Sequence, residues 1–142
     1  MVKQLSVFLQ NKSGKIAAIT DALARARIDI RALSIADTTD FGILRMLVSN
    51  IDEAKRVLDG QSCIVSVNEV VVVAVPDEPG GLAKVLSLMA CSSIDIEYLY
   101  SLIDRGAKDA YMVFRVSNEE KLLALLSDNG LHVVPPHTLG LH

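Results

Sequence analysis

Asp77-Glu78-Pro79-Gly80-Gly81-Leu82-Ala83, followed by Ile94-Asp95-Ile96, decides the fold because both stretches have a counterpart earlier in the chain. At an offset of 66 they fall on Asn11-Lys12-Ser13-Gly14-Lys15-Ile16-Ala17 and Ile28-Asp29-Ile30. Leu33 falls on Leu99. Further on, a two-residue insertion moves the offset to 68, where Val48-Ser49-Asn50 meets Val116-Ser117-Asn118 and Leu58 meets Leu126. A fixed period over nearly the whole chain is the mark of a duplicated unit. The boundary is expected near Asn68-Glu69, giving domains 1–68 and 69–142. No Pro/Gly/Ser linker separates them, so the two are expected to pack together.

Within one unit, Leu5, Val7 and Leu9 alternate with polar neighbours, as on a half-buried strand. Ile16, Ile19, Leu23 and Ala26 then recur at helical spacing, as do Leu82, Val85, Leu86 and Met89 in the second unit. A second strand is expected from Ile28 or Ile94. It ends in a polar turn, Asp37 to Asp40 or Asp104-Arg105-Gly106. A third strand follows, Ile43 to Val48 or Tyr111 to Val116. Asn50 with Glu53, and Ser117 with Glu120, read as capping boxes opening a second helix. Gly60 and Gly130 stand where helices stop. Residues 62–67 and 131–135 complete each unit, and Pro135 and Pro136 end the last strand. The order βαββαβ, twice, predicts an α+β chain of two ferredoxin-like sandwiches that pair their antiparallel sheets.

Composition narrows the function. Of 142 residues, 51% are hydrophobic, enough for a sizeable core. The net charge is −3 and the pI about 5.5, which argues against a general nucleic-acid binder. The basic and acidic side chains number nine and seven in residues 1–68, and five and ten in residues 69–142. The longest apolar run is Val70 to Val75, short of the ~18 residues of a membrane span. The N-terminus lacks the apolar core of a signal peptide. Cys63 and Cys91 form no CxxC or Cys/His cluster and read as reduced thiols of a cytoplasmic protein.

Two features can carry chemistry. Each first strand leads into a loop ending in Gly14 or Gly80 at the mouth of a helix. Helix N–H groups there attract a carboxylate or phosphate; the alternative is an ordinary turn whose Asn or Asp caps the helix. Asp29 and Asp95 can accept from an ammonium group, or serve as turn residues. Together the two features suit the two ends of a free amino acid. Lys15 can offset a carboxylate or be an exposed helix lysine.

These residues resemble ACT domains: two βαββαβ repeats, each with a D/N-x-P/S-G loop and an I-D-I strand start. The second loop matches the family pattern well. The first has Ser13 where Pro is usual, and both repeats have Asp where many amino-acid-binding members have Asn. The resemblance covers essentially the whole chain and implies a stand-alone pair of regulatory modules. It implies loop side-chain contacts from Asn11 and Asp77, with Lys12 and Glu78 beside them. Ser13, Gly14 and Lys15, and Pro79, Gly80, Gly81 and Leu82, would supply backbone contacts. Asp29, Ile30, Asp95 and Ile96 would form the facing strand start.

The expectation is a non-catalytic, allosteric amino-acid-binding protein without cofactor or metal. Ligand would bind at module or chain interfaces near the Gly loops. The chain is expected to form a homodimer, with an enzyme or regulator of amino-acid metabolism as partner and no nucleic acid or membrane. The alternative is an interaction module without a small ligand. An enzyme lacks support, since no Ser or Cys is placed with a His as a nucleophile pair. His132, His137 and His142, five residues apart, share neither a helix face nor a strand face.

Overall fold

The computed structural model describes residues 1–10, 14–37, 40–61, 63–102 and 108–142. Its elements are β1 (Val2–Gln10), α1 (Lys15–Arg25), β2 (Ile30–Asp37), β3 (Phe41–Val48), α2 (Ile51–Asp59) and β4 (Ile64–Pro76). There follow α3 (Gly81–Cys91), β5 (Ile96–Leu102), β6 (Asp109–Val116), α4 (Glu119–Asp128), β7 (His132–Val133) and a 3₁₀ turn (Pro136–Leu139). The order is βαββαβ in each repeat. The Asp104–Gly106 turn, and Thr38 and Thr39 of the Asp37–Asp40 turn, lie outside the described residues.

The chain divides into two compact units. One holds Lys3–Asn68 with Pro136–His142, the other Met1–Val2 with Glu69–Pro135. The change of unit at Asn68/Glu69 falls inside β4, which serves as last strand of the first repeat and first strand of the second. The last seven residues, placed by sequence with the second repeat, group with the first. Leu139 and Leu141 are buried, and Arg31 Nε donates to the Leu139 carbonyl at 3.0 Å.

In the first repeat the strand order is β2-β3-β1-β4, with β3 antiparallel to both β1 and β2. Leu5 and Val7 lie opposite Met46 and Leu44. These residues, with Leu9, meet Ile19 and Leu23 of α1 and Ala54 and Leu58 of α2 in one core. Each large aliphatic chain so buried contributes about 1.5–3 kcal/mol. The second repeat has the order β7-β4-β6-β5, and its core gathers Val71, Val73 and Val75 with Val85, Met89, Phe114, Leu122 and Leu126. Both helical stripes thus face their sheets, with Ile16, Ala26, Leu82 and Leu86 half-buried at the margins.

Three expectations shift. Strands β2 and β5 start at Ile30 and Ile96, two residues late, because Ile28 N and Ile94 N donate back to the Leu23 and Met89 carbonyls of the preceding helices, each at 3.0 Å. The cap of α4 is Asn118, whose side chain accepts from Lys121 N at 3.0 Å; Ser117 is not the cap. This matches α2, where Asn50 accepts from Glu53 N at 3.1 Å. The last strand, expected over 131–135, is two residues long, since prolines at 135 and 136 have no N–H to pair.

Candidate ligand-binding site

The loop between β4 and α3 is folded tightly back on its strand. Glu78 N donates to the Pro76 carbonyl at 2.9 Å, and Gly81 N to the Glu78 carbonyl at 3.0 Å. Gly80 closes the loop at φ +88°, and Gly14 does the same before α1 at φ +82°. At both, the left-handed backbone favours glycine. Gly81 is glycine for a different reason: a Cβ there would sit 2.1 Å from the Pro76 carbonyl oxygen.

The four helices then divide. Helices α2 and α4 have asparagine caps, whereas α1 and α3 begin at Gly14 and Gly80 with no side-chain cap. In α3 the ladder opens with Lys84 N donating to the Gly80 carbonyl, so the amides of Leu82 and Ala83 precede it. Asp77, Glu78, Pro79 and Gly80 are exposed; Gly81 is buried and Leu82 half-buried. The turn alternative, in which an Asp or Asn side chain caps the helix, does not hold at Gly80. Lys15 is half-buried at the start of α1. Asn11, Lys12 and Ser13 lie outside the described residues.

The strand starts are built alike. Asp29 N donates to Ser49 Oγ at 2.9 Å while Ser49 N donates to the Asp29 carbonyl at 2.9 Å. Asp95 N and Ser117 Oγ stand at 3.2 Å, and Ser117 N donates to the Asp95 carbonyl at 2.9 Å. The backbone of each Asp is thereby clamped and its carboxylate left at the surface. That of Asp29 accepts from Arg31 Nη1 at 3.2 Å. Ile30 and Ile96 turn toward the two cores. Position alone did not single out Ser49 and Ser117, although the repeat alignment pairs them.

Within a unit the loop and the strand start do not meet. Gln10, leading into the Gly14 loop, is opposite Phe41; Ile30 is opposite Val48. The length of β3 separates them, about 23 Å at the usual strand rise. The second unit repeats this, with Pro76 opposite Asp109 and Ile96 opposite Val116. One module therefore offers either the helix end or the carboxylate at a given place, not both.

Residues 1–140 match the family described as the ACT domain pair. The chain belongs to the ACT domain family. Among solved structures it is similar to protein BT0572 from Bacteroides thetaiotaomicron, at 38% identity over 98% of this chain and 95% of that one, with a TM-score of 0.89. The regulatory subunit of aspartate kinase from Thermus thermophilus has the same fold at 15% identity, covering 89% and 91% of the two chains, TM-score 0.62. The corresponding subunit from Thermus flavus is similar at 15% identity over 90% and 93%, TM-score 0.56. No curated protein matches the sequence.

A cleft of about 410 Å³ is lined by Phe8, Leu9, Gln10, Phe41, Cys63 and Ile64. Phe8, Phe41 and Ile64 there are exposed. Burial pushes the Cys63 thiol pKa up, with Lys15 opposing and Asp59 reinforcing the shift. Among the described residues no group of three or more His, Cys, Asp or Glu could hold a metal, and no helix is long and apolar enough to cross a membrane.

Proposed function

We propose that this ACT domain pair is a non-catalytic regulatory protein that binds a free amino acid. The observation that supports this reading is the contrast among helix starts: among the described residues, α1 and α3 lack the side-chain cap that α2 and α4 possess. An uncapped, exposed start beside a glycine suits a carboxylate. The ammonium group would go to Asp29 or Asp95 of a second chain, because β3 or β6 separates loop and strand start within one unit. Asn11, Lys12, Ser13, Gly14 and Lys15, and Asp77 through Leu82, form the carboxylate side; Asp29, Ile30, Asp95 and Ile96 form the other.

A site completed by a second chain calls for association, and we infer a homodimer. Phe8, Leu33, Ile35, Phe41, Ile64 and Val67 are exposed and belong to the apolar surface available to one. Binding would favour one docking geometry, which an enzyme or regulator of amino-acid metabolism could read. The fold of a regulatory subunit of aspartate kinase supports that role, and two free thiols suit the cytoplasm.

The test is a thermal-shift screen against the twenty amino acids, on wild type and Gly80→Val. A ligand at about 100 times its Kd stabilises by roughly 2.7 kcal/mol, several degrees in a chain of this size. One or two hits lost in Gly80→Val support the reading. A flat panel on folded protein supports the second reading, an interaction module built on the apolar cleft.

A further inference from the structure

The cleft between Phe8 and Phe41 lies beside the start of α1. Gln10, in its wall, ends β1, and Gly14 follows four residues on, at most about 14 Å along the chain. Cys63, in the same wall, feels the Lys15 ammonium, which opposes the upward push of burial on the thiol. The cleft thus borders the helix start that the amino-acid-binding reading gives to a carboxylate.

Its size and chemistry point to a small apolar occupant. About 410 Å³ falls within the roughly 300–1,000 Å³ of small-molecule sites. Among the described residues its lining carries no charged side chain; Gln10 and the Cys63 thiol are its neutral polar groups. A charged side chain placed there would lose water without gaining a partner. Phe8, Phe41 and Ile64 are 42%, 59% and 71% exposed, roughly 350 Å² together at about 200 Å² for a whole large side chain. That is under half of the ~800 Å² each partner gives a stable protein interface. A folded partner needs more than this cleft offers; the side chain of one amino acid does not.

The matching corner of the second repeat has other chemistry. Gln10 lies opposite Phe41, whereas Pro76 lies opposite Asp109. Ala74 stands where Phe8 does at the offset of 66, and His132 where Ile64 does at 68; His132 lies opposite Ala74. Asp109 and His132 are exposed. Three large apolar walls become a methyl group, a carboxylate and an imidazole. We propose that the first-repeat cleft takes the side chain of the bound amino acid and selects large, uncharged, apolar ones of the phenylalanine or leucine kind, a preference the second repeat does not share. This rests on the amino-acid-binding reading above and adds to it the class of ligand and the repeat that holds it.

Cys63 is a reporter built into the cleft wall. In full-length Cys91→Ser it is the remaining thiol, and its modification by DTNB at pH 8 is followed with millimolar L-phenylalanine, L-leucine, glycine, L-aspartate or L-lysine. The thermal-shift panel of twenty amino acids runs beside it. Phenylalanine or leucine should slow the reaction, about twofold at its Kd and further above it; the other three should not. Phe41→Asp, which brings in the second repeat's residue, should weaken that binding by at least roughly tenfold. Ile64→His, at an exposed position, is the second variant should Phe41→Asp fold poorly, and it must act in the same direction. Protection by glycine, aspartate or lysine as strong as by phenylalanine and leucine overturns the selectivity. So do Tm shifts with no amino acid protecting Cys63, and phenylalanine or leucine binding undiminished in Phe41→Asp; in all three cases the sensor reading stands. A panel flat by both readouts ends the sensor reading, and the cleft assignment with it. Protection that rises with protein concentration alone seats a second copy in the cleft and overturns the assignment.

Discussion

The Pro76 carbonyl oxygen occupies the space that a side chain on Gly81 would need, 2.1 Å from the position of its Cβ. The neighbour is backbone, so it cannot rotate away. Gly81→Ala should destabilise the protein by about 1–3 kcal/mol, the range for forced overpacking, read as a lower urea midpoint. Gly80→Ala meets open space but keeps φ at +88°. Its cost should be smaller, roughly 1–2 kcal/mol of left-handed strain. Equal costs would count against the close approach.

Asn118 and Ser117 are adjacent but do different work. Asn118→Ala removes the cap of α4 and should cost about 1 kcal/mol. Asn50→Ala should match it. Ser117→Ala leaves the cap intact and loosens the clamp on Asp95, whose amide exchange should rise while that of Lys121 does not.

Arg115 ties three acceptors together: Glu97 at 3.3 Å, Glu119 at 2.9 Å and the Glu69 carbonyl at 2.8 Å. Its side chain is one-third exposed, so salt screens the carboxylate pairs more than the carbonyl contact. Arg115→Met should lower stability by about 1–2 kcal/mol at low salt. Part of that loss should persist at 1 M NaCl. Complete loss of the difference would show that only the ion pairs matter.

The two thiols should differ in reactivity. Cys63 is half-buried, and its sulfur lies 3.5 Å from the Leu58 carbonyl, where the S–H can donate; Cys91 is exposed. At pH 8 a thiol reagent should modify Cys91 first. The Cys63 pKa is raised in the fold, so the thiol favours folding below its unfolded pKa. That contribution is lost as pH rises through the folded pKa. Cys63→Ser should therefore flatten the alkaline limb of the stability curve.

Glu53 has the opposite sign. Its side-chain hydrogen bond with Arg56 holds its pKa below the usual carboxylate range. A lowered folded pKa gives stability above the unfolded value that is lost as pH falls through the folded one. Arg56→Ala should make the acid limb shallower, read as Tm against pH from 6 to 3. Arg56 is exposed and Glu53 only partly covered, so solvent screens the pair and the change should be small.

Much of this protein was legible before any coordinate. Helical spacing at Ile16, Ile19 and Leu23 and alternation at Leu5, Val7 and Leu9 are local signals, and local geometry alone produces them. The duplication doubled each signal. Ser117 with Glu120 satisfies the capping-box pattern, yet Asn118 is the cap, in keeping with the alignment of Val116-Ser117-Asn118 on Val48-Ser49-Asn50 that pairs the two asparagines. The glycines at 14 and 80 were legible as helix mouths. That Gly81 is needed for close approach was not, because the atom it avoids is placed by the fold of the whole loop.

The amino-acid order alone specified two βαββαβ repeats and the glycines at which α1 and α3 open. Each rests on spacings within a few turns or strands, which neighbouring residues impose directly. Only the tertiary structure placed Asp29 at the far end of β3 from the Gly14 loop, since antiparallel register joins residues remote in sequence. It also carried Leu139 back to Arg31, a contact across more than a hundred residues. No local pattern encodes such a return; it follows from where an apolar tail finds burial and its backbone finds partners.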